Sequence, residues 1–254
     1  MKKSVMDFKV REVVPHGRNY ALLRMMPVKG EMPEVEPGQF VQVEIPNSKS
    51  TYLRRPISIN WADRREMWLL VRRAGAGTNA LCDLPEGSRL SIILPLGRGF
   101  DLSVRGNVLL VGGGVGTAPL LMLGKRLVTL GVDVKFLLGA RTTSDLLQLE
   151  LFKQTGETRV TTEDGSMGHR GLVTDHPLLT DGEIDHIACC GPLPMMKAVA
   201  AIARSRGISC EVSLENMMAC GIGACLCCVE DTVDAGNVCV CKEGPVFNIK
   251  RLKW

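Results

Sequence analysis

Residues 107–117 read NVLLVGGGVGT, a short valine- and leucine-rich run that ends on three consecutive glycines with a fourth at Gly116. The apolar run has the composition of a buried strand, and APLLMLGKRLVTLG, residues 118–131, repeats its apolar positions at helical spacing. Strand, glycine turn and helix is the arrangement in which unhindered backbone N–H groups and the positive end of a helix receive a dinucleotide's phosphates. Gly112, Gly114, Gly116 and Thr117 are therefore candidate phosphate-loop residues. The run departs from the Rossmann fingerprint twice: Thr117 stands at the third glycine position, and the next strand ends in GART, residues 139–142, without a ribose-binding acid. A tight structural turn is the competing explanation. Arg141 or Arg170 are the side chains that could instead meet a cofactor phosphate.

Downstream the alternation of strand and helix continues. DVKFLLGA (133–140) and IDHIACCGP (184–192) have the pattern of buried strands, SDLLQLELFKQTG (144–156) and MKAVAAIARSRG (196–207) that of helices, and ISCEVSLE (208–215) that of a final strand. This order predicts a parallel α/β domain. Upstream no helical period is found. FKVREVV (8–14), NYALLRMM (19–26), GQFVQVEIP (38–46), RRPISINW (54–61), MWLLVRRAG (67–75) and RLSIILPLG (89–97) are short branched or alternating runs separated by Gly, Pro, Asn and Asp. They predict a small antiparallel β-barrel. The expected division is 1–101 barrel, 102–212 nucleotide-binding α/β domain and 213–254 cysteine-bearing segment.

That last segment holds six of the chain's ten cysteines, between Cys220 and Cys241. Cys220, Cys225 and Cys228 follow the spacing Cys-x4-Cys-x2-Cys, the plant-type pattern for a [2Fe–2S] cluster, and Gly221 and Gly223 let the chain curl around it. Adjacent Cys227 is set aside by the two-residue spacing from Cys225. Cys239 or Cys241 can supply the fourth thiolate; Cys241 is preferred because it stands just before the turn Lys242-Glu243-Gly244-Pro245. Tetrahedral zinc is the alternative for four thiolates, although zinc sites usually present two close Cys pairs. Cys82, Cys189, Cys190 and Cys210 lie in apolar contexts where lone cysteines serve as small buried hydrophobes.

In the barrel region, Arg55-Pro56-Ile57-Ser58 and RRAGAGT, residues 72–78, combine arginine, hydroxyl and glycine in a way that suits a diphosphate. A cap and a hairpin turn are the plain explanations of the same residues.

Taken in order, RRPISIN, GAGT, LPLGRGF, VGGGVGTAPLL, CCGPLPMMKAV and MACGIGACLCCV followed by CKEGPVF resemble the ferredoxin reductase superfamily over nearly the whole chain. Within it, they resemble the electron-transfer subunits of NAD-dependent (class B) dihydroorotate dehydrogenase. The resemblance implies FAD in the barrel, held by Arg55, Pro56, Ile57, Ser58, Leu70, Val71, Arg72, Gly77 and Thr78. It implies NAD at the α/β domain, with Cys190, Gly191 and Pro192 beside the nicotinamide, and a [2Fe–2S] cluster on Cys220, Cys225, Cys228 and Cys241. The implied partner is an FMN-containing dihydroorotate dehydrogenase catalytic subunit, in a heterotetramer of two of each, working in pyrimidine biosynthesis. Cys189, Cys227 and Cys239 are additional to the pattern. The alternatives are a related reductase subunit serving ferredoxin and NADP or sulfur reduction, and a zinc-bearing scaffold on a degenerate reductase fold.

Composition sets the remaining bounds. The chain has 254 residues, 45% hydrophobic, and a formal charge of +4 without basic blocks, which does not suggest nucleic acid as a partner. No apolar run approaches the roughly 20 residues of a membrane span. The opening MKKSVMDFKV lacks an apolar signal core, so reducing cytosol is the expected compartment. His16, His169, His176 and His186 are scattered and are expected to be surface or capping residues, and no general acid, base or nucleophile is expected. Met217, Met218, Ile222 and Leu226, around the cysteines, are expected to include partner contacts.

Overall fold

Branched and aromatic residues recurring at every second position commit the first hundred residues to strands. In the computed structural model, which describes residues 2–46, 48 and 51–254, these strands are β1 (Ser4–His16), β2 (Tyr20–Pro27), β3 (Phe40–Val43), β4 (Arg55–Ala62), β5 (Met67–Arg72) and β6 (Arg89–Leu96). They pair in the order β1-β2-β5-β4-β3-β6, and β6 returns to β1 antiparallel, so the barrel closes and leaves no open edge. Phe8, Leu23, Met25, Val41, Val43, Ile59, Leu69 and Ile92 fill it. Between β5 and β6 the glycine-rich stretch winds into a short helix, α1 (Ala76–Cys82).

The second layer is a twisted sheet built from β7 (Asn107–Gly113), α2 (Ala118–Thr129), β8 (Asp133–Ala140), α3 (Leu149–Thr155), β9 (Glu157–Thr162), β10 (His169–Arg170), α4 (Pro177–Thr180), β11 (His186–Cys190), α5 (Leu193–Ser205) and β12 (Ser209–Ser213). The strand order is β10-β9-β8-β7-β11-β12, all parallel. The chain therefore moves one way from β7 to β8 and later returns to its other side with β11. Such a reversal opens a crevice at the carboxyl ends of the strands, where α/β sheets bind ligands.

The helix expected over 144–156 is shorter than its apolar pattern suggests. Gln148 adopts a left-handed φ of 54°, and α3 begins only after it. The reason is tertiary: Gln148 Nε2 donates to Asn60 Oδ1 of β4 and Asn60 Nδ2 donates back to Gln148 Oε1, both at 3.0 Å. Asn60 Nδ2 also reaches the Ala118 carbonyl at 2.9 Å, so one buried amide pair locks the barrel to the α/β layer.

The cysteine segment is woven into this frame. A hairpin, β13 (Val229–Thr232) with β14 (Gly236–Cys239), leads into a single helical turn, α6 (Val240–Glu243), and then β15 (Val246–Asn248). β15 pairs antiparallel with β12, placing Ser213 opposite Val246, and extends the sheet by one strand. Cys228, Cys241 and Phe247 share one apolar cluster with Phe40 and Leu96 of the barrel and Val212 of the sheet. The turn expected over 242–245 is thus the end of α6.

His169, exposed, and His176 fit the surface or capping expectation; His16, half-buried with its Nε2 buried and unpartnered among the described residues, and His186 do not. His176 Nδ1 accepts the Leu178 N–H at the start of α4, a capping role. His186 is buried at the start of β11, where its ring meets Ser209 Oγ at 3.2 Å and Glu211 at 3.6 Å. A polar residue opening a buried strand had to find polar partners on the neighbouring strand.

Candidate redox site

The carboxyl ends of β7, β8, β9, β11 and β12 and the barrel residues Tyr20, Arg72 and Arg73 enclose a cleft of about 710 Å³. Its floor is made by two loops that touch backbone to backbone. A Cβ on Gly116 would stand 2.6 Å from the Gly191 nitrogen and 2.7 Å from the Cys190 carbonyl carbon, so only glycine lets these loops meet. Gly114, at φ +55°, faces open space on the cleft side. Gly112 and Thr117 lie behind that wall; both are buried, and Thr117 Oγ1 donates to the Gly114 carbonyl at 2.9 Å, bracing the turn from within. Cys190, Gly191 and Pro192 line the cleft, with Ser213 and Glu215 beside them. Burial pushes the Cys190 thiol up to about 12 against a hydrogen bond from Ser213, so it stands in the cleft as a neutral thiol. Ser213 and Glu215 gave no signal in the sequence, because only the pairing of β12 with β11 brings them alongside Cys190.

The paired arginines of the barrel are sorted by their partners. Arg54 is tied to Glu44 at 2.7 Å and to the Ser91 carbonyl at 2.6 Å. Arg73 grips Asp83 with both nitrogens, at 2.9 and 2.6 Å. Arg55 and Arg72 meet no carboxylate among the described residues, which leaves one positive charge of each pair available to an anion. Gly77 lies against Arg55, where a Cβ would be 2.7 Å from Nε, and Thr78 Oγ1 accepts the Ala74 and Gly75 N–H groups at 2.9 and 3.2 Å. Pro56 and Ser58 face outward from β4, opposite Gln42 and Phe40 of β3. Leu70 and Val71 bury their side chains in apolar clusters and offer only backbone. An unpaired guanidinium beside a stripped-down backbone suits a diphosphate.

At the cysteine loop the sulfurs fall into two sets. Cys220 Sγ accepts N–H groups from Ile222, Ala224 and Cys225 at 3.3–3.4 Å, and the Cys225 thiol adjoins it. Cys228 Sγ accepts the Cys241 N–H at 3.4 Å, and Cys241 Sγ accepts the Gly223 N–H at 3.1 Å. Burial alone would raise the Cys220 thiol, but the N–H groups of Ile222, Cys225 and Ala224 bring it down to about 6. Burial and the neighbouring Cys228 thiol push Cys241 up to about 12, opposed by the Gly223 N–H. Cys239 is also raised, by burial and then by Cys228, Cys220 and Cys225, so it borders both sets. Cys228 thus opposes ionisation of Cys241, whereas Cys225 favours the Cys220 thiolate. Among the described residues no three His, Cys, Asp or Glu side chains gather round one point to hold a single ion. Cys220 with Cys225, and Cys228 with Cys241, could hold two irons with two protein thiolates each. Cys227 is exposed and outside both pairs. Leu226 takes a left-handed φ of 57° at the loop's tip, a strained conformation for a branched side chain.

Comparison with known proteins agrees with this geometry. A family model for the iron–sulfur cluster binding domain of dihydroorotate dehydrogenase B matches residues 215–253, and one for the oxidoreductase NAD-binding domain matches residues 110–201. Among solved structures, that of an NADH-dependent reduced ferredoxin–NADP oxidoreductase superposes with a TM-score of 0.86 at 29% identity, covering 97% of this chain and 89% of that one. The FAD/NAD binding domain of a nitric oxide dioxygenase from Vibrio cholerae shares the fold, with a TM-score of 0.71 at 21% identity over 82% of this chain and 98% of the other. Barrel, switch-point cleft and cysteine loop define an NAD-linked oxidoreductase of the ferredoxin reductase fold, specialised for electron transfer. The electron transfer subunit of dihydroorotate dehydrogenase B (NAD(+)) from Caldanaerobacter subterraneus is 41% identical over 86% of this chain and 87% of its own length. The chain belongs to the family of dihydroorotate dehydrogenase B electron transfer subunits.

Proposed function

We propose that this chain collects electrons from an FMN-containing dihydroorotate dehydrogenase catalytic subunit, in a complex of two copies of each, and delivers them to NAD⁺. FAD, NAD and a [2Fe–2S] cluster are the groups it carries. A flavin exchanges a hydride pair with nicotinamide and single electrons with an iron–sulfur cluster, which supplies the conversion between the two carriers.

The residues divide the work. Arg55 and Arg72, free of carboxylates, hold the FAD diphosphate, and Gly77 keeps the backbone low enough for it to approach. Ser58, on the outer face of β4, is the hydroxyl available to the isoalloxazine. Gly114 opens the NAD side of the cleft, while Gly116 and Gly191 fix its floor. Cys190 remains protonated, so it lines the hydride path without competing as a nucleophile. Cys220 and Cys225 hold one iron, Cys228 and Cys241 the other, with Cys239 the neighbouring spare thiol.

One observation carries this reading. Pro56, on the strand given to FAD, stands directly opposite Gln42 of β3, and Gly221 of the cysteine loop packs on Gln42. The flavin-bearing strand and the cluster loop are thus separated by a single strand pairing. Met217, Ile222 and Leu226, which are 84%, 47% and 66% exposed, make the cluster's outer side an apolar surface suited to the catalytic subunit. No helix of the described residues is long and apolar enough to cross a membrane.

The test is a visible spectrum of the purified protein with iron, acid-labile sulfide and flavin quantified, before and after NADH. Two irons per flavin and bleaching by NADH are expected. Zinc without flavin would overturn the reading in favour of a scaffold, and bleaching by NADPH alone would favour a ferredoxin–NADP reductase.

A further inference from the structure

The side chains of β3 alternate. Val41 and Val43 point into the barrel, and Phe40 and Gln42 point out toward the cysteine segment. Gln42 is fully buried, yet neither its Nε2 nor its Oε1 finds a hydrogen-bond partner among the described residues. The other buried carboxamides are satisfied. Gln39 accepts the Glu36 N–H at 2.8 Å and donates to the Gly97 carbonyl at 3.0 Å, and Asn60 and Gln148 serve each other. A buried amide without a partner is costly, and an apolar side chain of the same length would pack there more favourably.

Its surroundings show where the missing partner belongs. Across the ladders stand Pro56 and Ile93, which offer no side-chain polar atom. Over it lies Gly221, where a Cβ would meet Gln42 Cγ at 2.6 Å and Nε2 at 2.9 Å; at φ +70° the position already favours glycine. The loop backbone therefore rests on the carboxamide one residue after Cys220. The Cys220 sulfur already collects three N–H donors from its own loop.

We propose that Gln42 donates an N–H to a sulfur of the iron–sulfur cluster on its Cys220 side, and by favouring the more negative reduced state raises the cluster's reduction potential. The proposal rests on the reading of the cysteine loop as a [2Fe–2S] site. Its consequence is that a residue of the barrel, outside the cysteine motif altogether, sets the driving force between cluster and flavin.

The experiment uses the full chain carrying both cofactors, in wild-type form and as Gln42→Met, which keeps length and volume but has no N–H, and Gln42→Glu, which keeps shape and adds negative charge. Cluster potential is followed by EPR-monitored titration and flavin potential by absorbance. Expected is a more negative cluster potential in Gln42→Met, more negative still in Gln42→Glu, with the flavin potential unmoved and iron and sulfide retained. A cluster potential equal to wild type, or a shift confined to the flavin, overturns the proposal. A second measurement needs no variant: wild-type protein with ¹⁵N-labelled glutamine side chains is expected to show a ¹⁵N coupling in pulsed EPR of the reduced cluster, and its absence likewise overturns the assignment. Wild-type protein without iron and sulfide would remove the cluster reading itself, a failure distinct from an unshifted potential.

Discussion

At the scale of single residues, the loop gives different surroundings to the cysteines between which the sequence reading had to choose. Cys241 receives a backbone N–H and adjoins Cys228, whereas Cys239 borders both thiol pairs and Cys227 points to solvent. Cys241→Ser is expected to lose most of the iron and sulfide, and Cys227→Ser and Cys239→Ser to keep them, as read by absorption and metal analysis. The lowered Cys220 pKa gives a pH signature in cofactor-free protein. Because the thiolate is the nucleophile, alkylation of Cys220 should rise as pH passes upward through about 6 and level off near neutrality, with Cys241, raised to about 12, still unreactive. Peptide mapping after iodoacetamide at stepped pH measures both. Folding lowers the Cys220 pKa, so its stabilisation of the cofactor-free fold is complete above the unfolded thiol's ordinary range and lost as pH falls through about 6.

At the scale of elements, much was legible and some was not, for reasons that can be named. Every barrel strand was visible because alternation and turn residues are local signals, and the β7–α2 unit because strand, glycines and helix adjoin in the chain. The beginning of α3 was misjudged because the apolar pattern of 144–156 says nothing of Asn60, far away in β4, which captures Gln148. That capture has a measurable worth. Asn60→Ala or Gln148→Ala leaves a buried amide unpaired and is expected to destabilise the protein by about 1–3 kcal/mol. The double variant should cost less than the sum, by chemical denaturation in a double-mutant cycle. The sorting of Arg55 from Arg54 and of Arg72 from Arg73 was likewise hidden, since Glu44 meets Arg54 only across the β3–β4 pairing and Asp83 meets Arg73 only once α1 has folded between them. The cysteine spacing singled out three candidate ligands from sequence alone; the position of β15 beside β12 was beyond it, because a three-residue strand carries no periodicity.

At the scale of the whole molecule, the site is an arrangement of interfaces. The nucleotide cleft lies between barrel and sheet, and the cysteine loop packs on the outer face of the barrel, so on the proposed route electrons entering beside Met217 and leaving at Cys190 would cross from one layer to the next. Charging the exposed apolar rim tests the entry side. Met217→Glu with Leu226→Glu is expected to weaken association with the catalytic subunit by about 10-fold or more if these residues sit at the centre of the interface, seen by co-elution and titration. NADH bleaching of the isolated chain should be unchanged.

The pairing of Ser213 with Val246 has a consequence for how the protein acquires its metal. These two residues close a long loop at its base, and the closure is made by backbone bonds that involve no iron. The entropy of bringing distant cysteines together is therefore met by folding of the sheet, before any metal arrives. What remains at loading is the ordering of a short, glycine-hinged tip. The protein should fold first and be charged afterwards, with removal and return of iron leaving the barrel and sheet intact.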